Sequence, residues 1–464
     1  MATMDNALNY ADDHQQAALD TLMSFLRIPS ISTLAENKKD VQNAATWLAA
    51  QLDDLGFSDV HITRTDGHPI VFGQHLSAGP DAPTILVYGH YDVQPPDPLE
   101  EWDSDPFEPQ VRGDNLYARG ASDMKGQLVA HLKAMEAILS GGKLPINIKY
   151  MLEGEEEVGS SHLPAYMKEH KELLKCDLCL NVDLGISAPD EPSITYALRG
   201  INYFELKLRT AKSDLHSGLF GGTVDNAAMA LSRLIAGMKD DNGTITLPGF
   251  YDHVRPLDES QRGNPKARGD EWWLRHTGAL KLVGEPEYTP EERATARPTL
   301  DVNGFVSGFS GEGAKTIIPA EAMAKISMRL VADQDPDAIQ RSLEKYLEEN
   351  APETVEWTLE SLSSCRPSFV EQDSIGVMAA IKALETTWGT PAGFVRMGGS
   401  IPVVGYIQEI LEMDSVLLGF ALPDDNIHAP NEKQHLPTFY RGILTYIRFT
   451  YNLAEAFAAR KEAR

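Results

Sequence analysis

The side chains of this chain that could do chemistry sit in a few short stretches: His90 and Asp92, Asp123, the triplet Glu155-Glu156-Glu157, Asp183, and His428. Two imidazoles with several carboxylates and no thiolate make a nitrogen and oxygen donor set. Such a set suits zinc, with manganese or cobalt as substitutes. The donors are numerous enough for two ions about 3.5–4 Å apart with a water between them, an expectation from ligand count alone. Packed carboxylates repel one another, so the triplet needs a positive partner or must face water. Each residue also has a plainer reading: a solvated acidic turn for the triplet, a helix cap for Asp183, a turn residue for Asp123, a surface or packing residue for His428.

What sets these residues apart is their placement. Thr84–Tyr88 is a short continuous apolar run, as in a central strand buried on both faces, and His90 and Asp92 follow it. Ile146–Leu152 leads into the triplet, and Lys175–Val182 into Asp183. Helical periodicity marks residues 15–27, 40–55, 126–139 and about 161–174. Acids and histidine that repeatedly follow apolar strands indicate a doubly wound α/β sheet, whose ligand site lies at the carboxyl ends of its strands. From about residue 200 the order becomes strand (203–208), helix (224–238), strand (299–307), strand (317–331), helix (336–349), strand (354–361). This is the split ferredoxin-like order of an inserted α+β domain. Residues 240–297, with Trp272 and Trp273, interrupt it and read as an elaboration of the insert. A helix at 375–387, the apolar run Ser415–Phe420 and a final helix at 436–459 return to the first style. The expected domains are 1–198 and 373–464, forming one catalytic domain, with 199–372 inserted between them.

Composition narrows the function classes. A formal charge of −27 argues against a nucleic-acid partner, which needs clustered Lys and Arg. No apolar run approaches the ~20 residues of a membrane span, and the acidic start of the chain has no basic and apolar leader, so the expected location is cytoplasmic. The three cysteines make no disulfide framework, and Cys176-x-x-Cys179 lies in a strand-like run and reads as core packing. The absence of a basic cluster beside the acids speaks against a phosphoesterase.

Four motifs together resemble one family: Gly89-His90-Tyr91-Asp92-Val93-Gln94-Pro95, Arg119-Gly120-Ala121-Ser122-Asp123-Met124-Lys125-Gly126, Glu155-Glu156-Glu157-Val158-Gly159-Ser160 and Asp214-Leu215-His216-Ser217-Gly218. They are similar to the dizinc peptidases that include carboxypeptidase G, aminoacylase, succinyl-diaminopimelate desuccinylase and the carnosinases. The resemblance implies a zinc-peptidase catalytic domain with an inserted lid and dimerisation domain. It makes His90 and Asp183 ligands of one zinc, Asp123 the bridging ligand, and Glu157 and His428 ligands of the second. It makes Asp92 the hydrogen-bond partner of the free ring nitrogen of His90. Glu156 becomes the general base toward a metal-bridging water. His216 becomes the oxyanion donor, supplied in several dimeric members by the partner subunit; by its flanking residues alone it reads rather as a local hydrogen-bonded turn.

Gly313–Pro319, Arg329 in Ile326–Val331 and Gly398-Gly399-Ser400 resemble segments of carnosinase-like dipeptidases. By that resemblance Arg329 pairs with a substrate's C-terminal carboxylate, and Thr316, Gly399 and Ser400 line the same pocket. The pattern's further histidine after the last insert strand is missing from Ser363-Ser364-Cys365-Arg366-Pro367-Ser368, which puts carnosine-type specificity in doubt. The expected function is metal-dependent hydrolysis of dipeptides or short peptides with a free C-terminal carboxylate, by a homodimer joined through the insert. The alternatives are a deacylase of N-acyl amino acids and, in another class, a binding protein that keeps the fold without catalysis.

Overall fold

A computed structural model describes residues 3–257, 262 and 268–462. Two compact units emerge: Met1–Tyr196 with Val370–Val395 and Tyr406–Arg464, and Ala197–Phe369 with Arg396–Gly405.

In the first unit, Thr84–His90 pairs in parallel with Asn147–Glu153 on one side and Leu178–Asn181 on the other, and Ser415–Leu417 runs parallel to Leu178–Asn181. The last three of these strands are buried at every residue, and Thr84–His90 at every residue but its first, as apolar runs inside a parallel sheet must be. Because the strands are parallel, their carboxyl ends reach one edge of the sheet. The register sets His90 opposite Glu153, two residues before the acid triplet. Antiparallel strands widen this core: Ile70–His75 beside Asn147–Glu153, Ser58–Thr63 outside it, and Ser193–Leu198 beside Ser415–Leu417. The sheet is thus mixed where a purely doubly wound one would be parallel throughout.

The Lys125–Ser140 helix follows Asp123 directly and is buried around nearly its whole circumference, including Gln127 and His131. It packs against the final helix, Leu436–Glu462, and against Met4–Asp13 and Gln15–Leu26. Of these, Met4–Asp13 has no counterpart in the sequence reading. The expected helix at 161–174 is two short ones, Leu163–Glu169 and Lys171–Leu174, that meet at His170. Cys179 is buried in its strand, Cys176 is half-buried, and both are free thiols.

In the second unit, a four-stranded antiparallel sheet has the order Thr299–Ser307, Glu321–Leu330, Gly200–Arg209, Glu356–Cys365. With the Ala227–Gly237 and Pro336–Asn350 helices this gives the expected ferredoxin-like succession. Burial alternates along Gly200–Arg209 and Glu321–Leu330, so one face is covered; Phe204, Leu206, Ile326 and Met328 pack there with Leu231, Leu234, Leu343 and Leu347. Asn226 and Asp335 cap the two helices by accepting from the backbone N–H of Met229 and Asp337. The strand expected at 317–331 is interrupted after Ile317–Ile318, where Pro319 offers no N–H to a ladder. Of the 240–297 elaboration, residues 258–261 and 263–267 lie outside the described residues; Asp270–Thr277 and Pro290–Thr295 are helical. Arg396–Gly405, which the sequence division assigns to the C-terminal catalytic part, groups with this unit. Among the described residues no helix is long and apolar enough to cross a membrane.

Candidate metal centre

His90 ends its strand fully buried. Its Nδ1 lies 3.1 Å from the backbone carbonyl oxygen of Asp92 and 3.4 Å from Asp92 Oδ1. A carbonyl can only accept, so Nδ1 carries the proton and Nε2 is directed at Asp123 Oδ1 (3.1 Å) and Asp183 Oδ2 (3.6 Å). The nearer acceptor is therefore the carbonyl of Asp92, where the carboxylate was expected. That carboxylate, 3.4 Å from the same nitrogen, also accepts from the backbone N–H groups of Glu156 (3.2 Å) and Glu157 (3.1 Å) and so fixes the acidic loop.

The two oxygens of Asp123 face different neighbours. Oδ1 meets His90, and Oδ2 lies 2.9 Å from Nε2 of His428, which is also 3.1 Å from Glu157 Oε2. Two groups of potential ligand atoms result, His90–Asp123–Asp183 and Asp123–Glu157–His428, in each of which the atoms lie within 4.8 Å of one another. Asp123 belongs to both. Nitrogen and carboxylate oxygen donors fit a zinc-like divalent cation, and one carboxylate shared between two donor groups fits a pair of them.

The electrostatics agree with a site short of positive charge. Burial pushes the Asp183 carboxyl up to about 7, with His90 working against the rise and Asp123 and Glu157 adding to it. Burial likewise holds Glu156 well above the usual carboxylate range. His428 is pushed up to about 10 by its hydrogen bonds to Asp123 and Glu157. Burial opposes the charged form of His90, yet hydrogen bonding to Asp123 and the charge of Asp183 keep it well above an ordinary histidine. Among the described residues no Lys or Arg forms an ion pair with Asp123, Glu156, Glu157 or Asp183.

The triplet divides by environment. Glu157 is almost fully buried and accepts from Gln94 Nε2 (2.8 Å). Glu155 turns away from the centre, buried, and accepts from the His68 backbone N–H (2.9 Å) and from His162 Nδ1 (2.9 Å). Glu156 belongs to neither ligand group, and its carboxylate has no hydrogen-bond partner among the described residues. Its charge interacts with His90, Asp183, Glu157 and Asp123.

A residue the sequence reading passed over organises the whole. Glu432, fully buried, accepts through Oε1 from the backbone N–H of Ser122 (2.9 Å) and Asp123 (3.0 Å), and through Oε2 from Gly120 N–H (2.8 Å) and Arg119 Nη1 (2.7 Å). Arg119 also donates to the carbonyl of Ala429 (3.3 Å), the residue after His428. The Asp123 loop and the His428 loop are thereby one hydrogen-bonded body. The second loop is conformationally costly, since Asn426, His428 and Asn431 all have positive φ (55°, 62° and 60°). Asn431 ties it down by donating to Glu101 O (2.8 Å) and accepting from Asp103 N–H (2.9 Å). Glu432 stands inside the motif that held His428; the signal was an acid four residues on with no chemistry assigned to it.

The remaining candidates lie in the second unit. His216 is exposed, and its Nδ1 accepts from Gly218 N–H (3.0 Å), a local turn; its neighbour Ser217 donates to the carbonyl of Thr316 (3.1 Å). Arg329 Nη1 donates to Ser400 Oγ (2.8 Å), beside Gly399. No hydrogen bond among the described residues joins the first pair to the second.

Residues 86–452 match the model of peptidase family M20/M25/M40. The chain is 31% identical to the Cys-Gly metallodipeptidase DUG1 of Candida albicans, over 92% of both chains, and 28% identical to the Beta-Ala-His dipeptidase of Homo sapiens, over 98% of this chain and 93% of that one. Its fold superposes on the crystal structure of the M20 family metallo-carboxypeptidase Sso-CP2 from Sulfolobus solfataricus with a TM-score of 0.82 and 32% identity, covering 94% of this chain and 99% of the other.

Removing Glu432 strands three backbone donors and a buried guanidinium together. Glu432→Ala is expected to lower unfolding free energy by roughly 3–5 kcal/mol, as for breaking a buried charge pair. Urea denaturation measures this, and a loss under about 1 kcal/mol, the ordinary value for an exposed pair, would show that the two loops are held by other contacts.

Proposed function

The chain belongs to peptidase family M20/M25/M40, and on that premise we propose that it hydrolyses the amide bond of dipeptides or short peptides bearing a free C-terminal carboxylate. The observation that carries this reading is the division of the acid triplet. Glu157 lies in a ligand group, while Glu156, one residue before it, presents a carboxyl group without a partner beside both groups.

In this reading His90, Asp123 and Asp183 hold one divalent ion and Asp123, Glu157 and His428 a second, zinc being the metal best suited to the donors. Such ions, when bound, acidify water and polarise a carbonyl. Glu156 takes the proton from the attacking water and returns it to the leaving amine. Asp92 keeps His90 in the tautomer that frees Nε2, and through its carboxylate it keeps the backbone of Glu156 and Glu157 in place. His216 donates to the oxyanion. Arg329, with Thr316, Gly399 and Ser400, receives the substrate carboxylate; among the described residues it has no acidic partner, although the chain carries 68 acids against 41 Lys and Arg.

The names of the two dipeptidase relatives favour an unblocked dipeptide over an N-acyl amino acid. The lack of a histidine in Ser363–Ser368 tells against a carnosine-type substrate. Glu156→Gln is expected to retain its metal by elemental analysis and to lose about 10²- to 10⁴-fold in kcat. Near wild-type turnover would remove Glu156 from the reaction. With the wild-type enzyme, a dipeptide should be cleaved faster than its N-acetylated analogue; the reverse order would assign the deacylase activity.

A homodimer through the second unit is the proposed assembly. Thr299–Ser307 is an edge strand that exposes Val302, Phe305 and Val306, and Met229 is exposed on the helix that packs over the neighbouring strand. A second copy pairing the same edge about a two-fold axis would cover this apolar strip. Sedimentation is expected to find a dimer for the wild-type chain and a monomer for Phe305→Asp. A monomeric wild-type chain contradicts the assembly.

A further inference from the structure

Two guanidinium groups in the second unit stand close together without an acid between them. Arg199 precedes the Gly200–Arg209 strand, and in the adjacent strand Arg329 is registered opposite Ile201. Burial, and after it the charge of Arg329, pushes the Arg199 pKa down to about 10. Among the described residues neither has a carboxylate within ion-pair distance; Asp301, whose charge reaches Arg199, is largely exposed and faces Lys239 at 3.9 Å. Arg199 Nη1 is buried with no hydrogen-bond partner. A buried cation next to a like charge is destabilising unless an anion arrives to offset both.

Arg199 also grips the turn that holds Arg329. Its Nε donates to the carbonyl of Gly398 (2.7 Å) and its backbone N–H to the carbonyl of Gly399 (3.1 Å), and the next residue, Ser400, accepts from Arg329 (2.8 Å). The turn is close-fitting: a Cβ on Gly398 would lie 2.7 Å from the carbonyl oxygen of Ala294 and 3.2 Å from Arg199 Nη2.

We propose that Arg199 is a positioning residue for the substrate's C-terminal carboxylate, pinning Gly398 and Gly399 so that Ser400 sets the Arg329 fork, and adding a second positive charge behind it. This rests on the reading of Arg329 as the carboxylate receiver. The guanidinium suits the task because one planar group can hold a carbonyl through Nε and still present its charge elsewhere.

The test uses the full-length metal-loaded enzyme with alanyl-alanine and alanyl-alanine amide. For Arg199→Gln, the ratio of kcat/KM for the acid over that for the amide is expected to fall about 10- to 100-fold, the loss appearing in KM for the acid. Arg199→Lys keeps the charge and the backbone N–H to Gly399 but loses the Nε bond to Gly398, so its ratio should fall between wild type and Arg199→Gln. If Arg199→Gln proves unfolded by circular dichroism, the lysine variant decides alone, and an unchanged ratio overturns the proposal. Equal losses on acid and amide also overturn it, because a packing role would not distinguish them. Arg329→Gln separates the two levels. If it leaves the ratio intact, the carboxylate reading itself fails; if it abolishes the preference while Arg199→Gln does not lower it, only the present inference fails.

Discussion

Like-charge crowding at one sheet edge is the constraint to which the first unit answers. Asp92, Glu156, Glu157 and Asp183 follow parallel strands, Asp123 joins them from the turn before the Lys125–Ser140 helix, and among the described residues the cationic side chains paired with Asp123, Glu157 and Asp183 are two imidazoles. Carboxylates at such spacing are stable only where cations are supplied or protons are retained, and the upward shifts at Asp183 and Glu156 record that shortage. A fold that tolerates this must hold each acid by something other than its charge.

The holding is done largely through the backbone. Asp92 accepts from the amides of Glu156 and Glu157, Glu432 from those of Gly120, Ser122 and Asp123, and Glu155 from that of His68. In the first two cases one carboxylate is used to fix the chain that carries another. Glu153, opposite His90, belongs to the same scheme: burial pushes it up to about 8, and its Oε1 accepts from Tyr88 and Ser160, tying the strand end to the far side of the acidic loop. The positive φ values of the His428 loop fit this picture, since only an over-determined segment keeps three non-glycine residues there.

Much of this was legible in the sequence because the central strands are buried on both faces and leave continuous apolar runs, of which three lead directly into a chemical residue. The insert was legible through alternation and element order. The antiparallel flanks Ser58–Thr63 and Ile70–His75 were not, because half-exposed edge strands such as the first carry a weak periodic signal. The role of Glu432 depends on Arg119, 313 residues away, and no local pattern reports that pairing. Asp92 shows a subtler limit: its type suggested the carboxylate contact to His90, found at 3.4 Å, but could not report the nearer contact at 3.1 Å, which uses the main chain that every residue has. Arg199 could be seen only as a join between domains until its grip on Gly398 and Gly399 was visible.

The central claim is that Asp123 is shared between two cation positions. Its most direct test is the metal content per chain, by elemental analysis after dialysis against zinc, of the wild-type protein beside Asp183→Asn, His428→Gln and Asp123→Asn. The account predicts two ions in the wild type, one in each of the first two variants, and none held stoichiometrically in Asp123→Asn. A wild-type chain with a single ion, or an Asp123→Asn variant that keeps both, would contradict it.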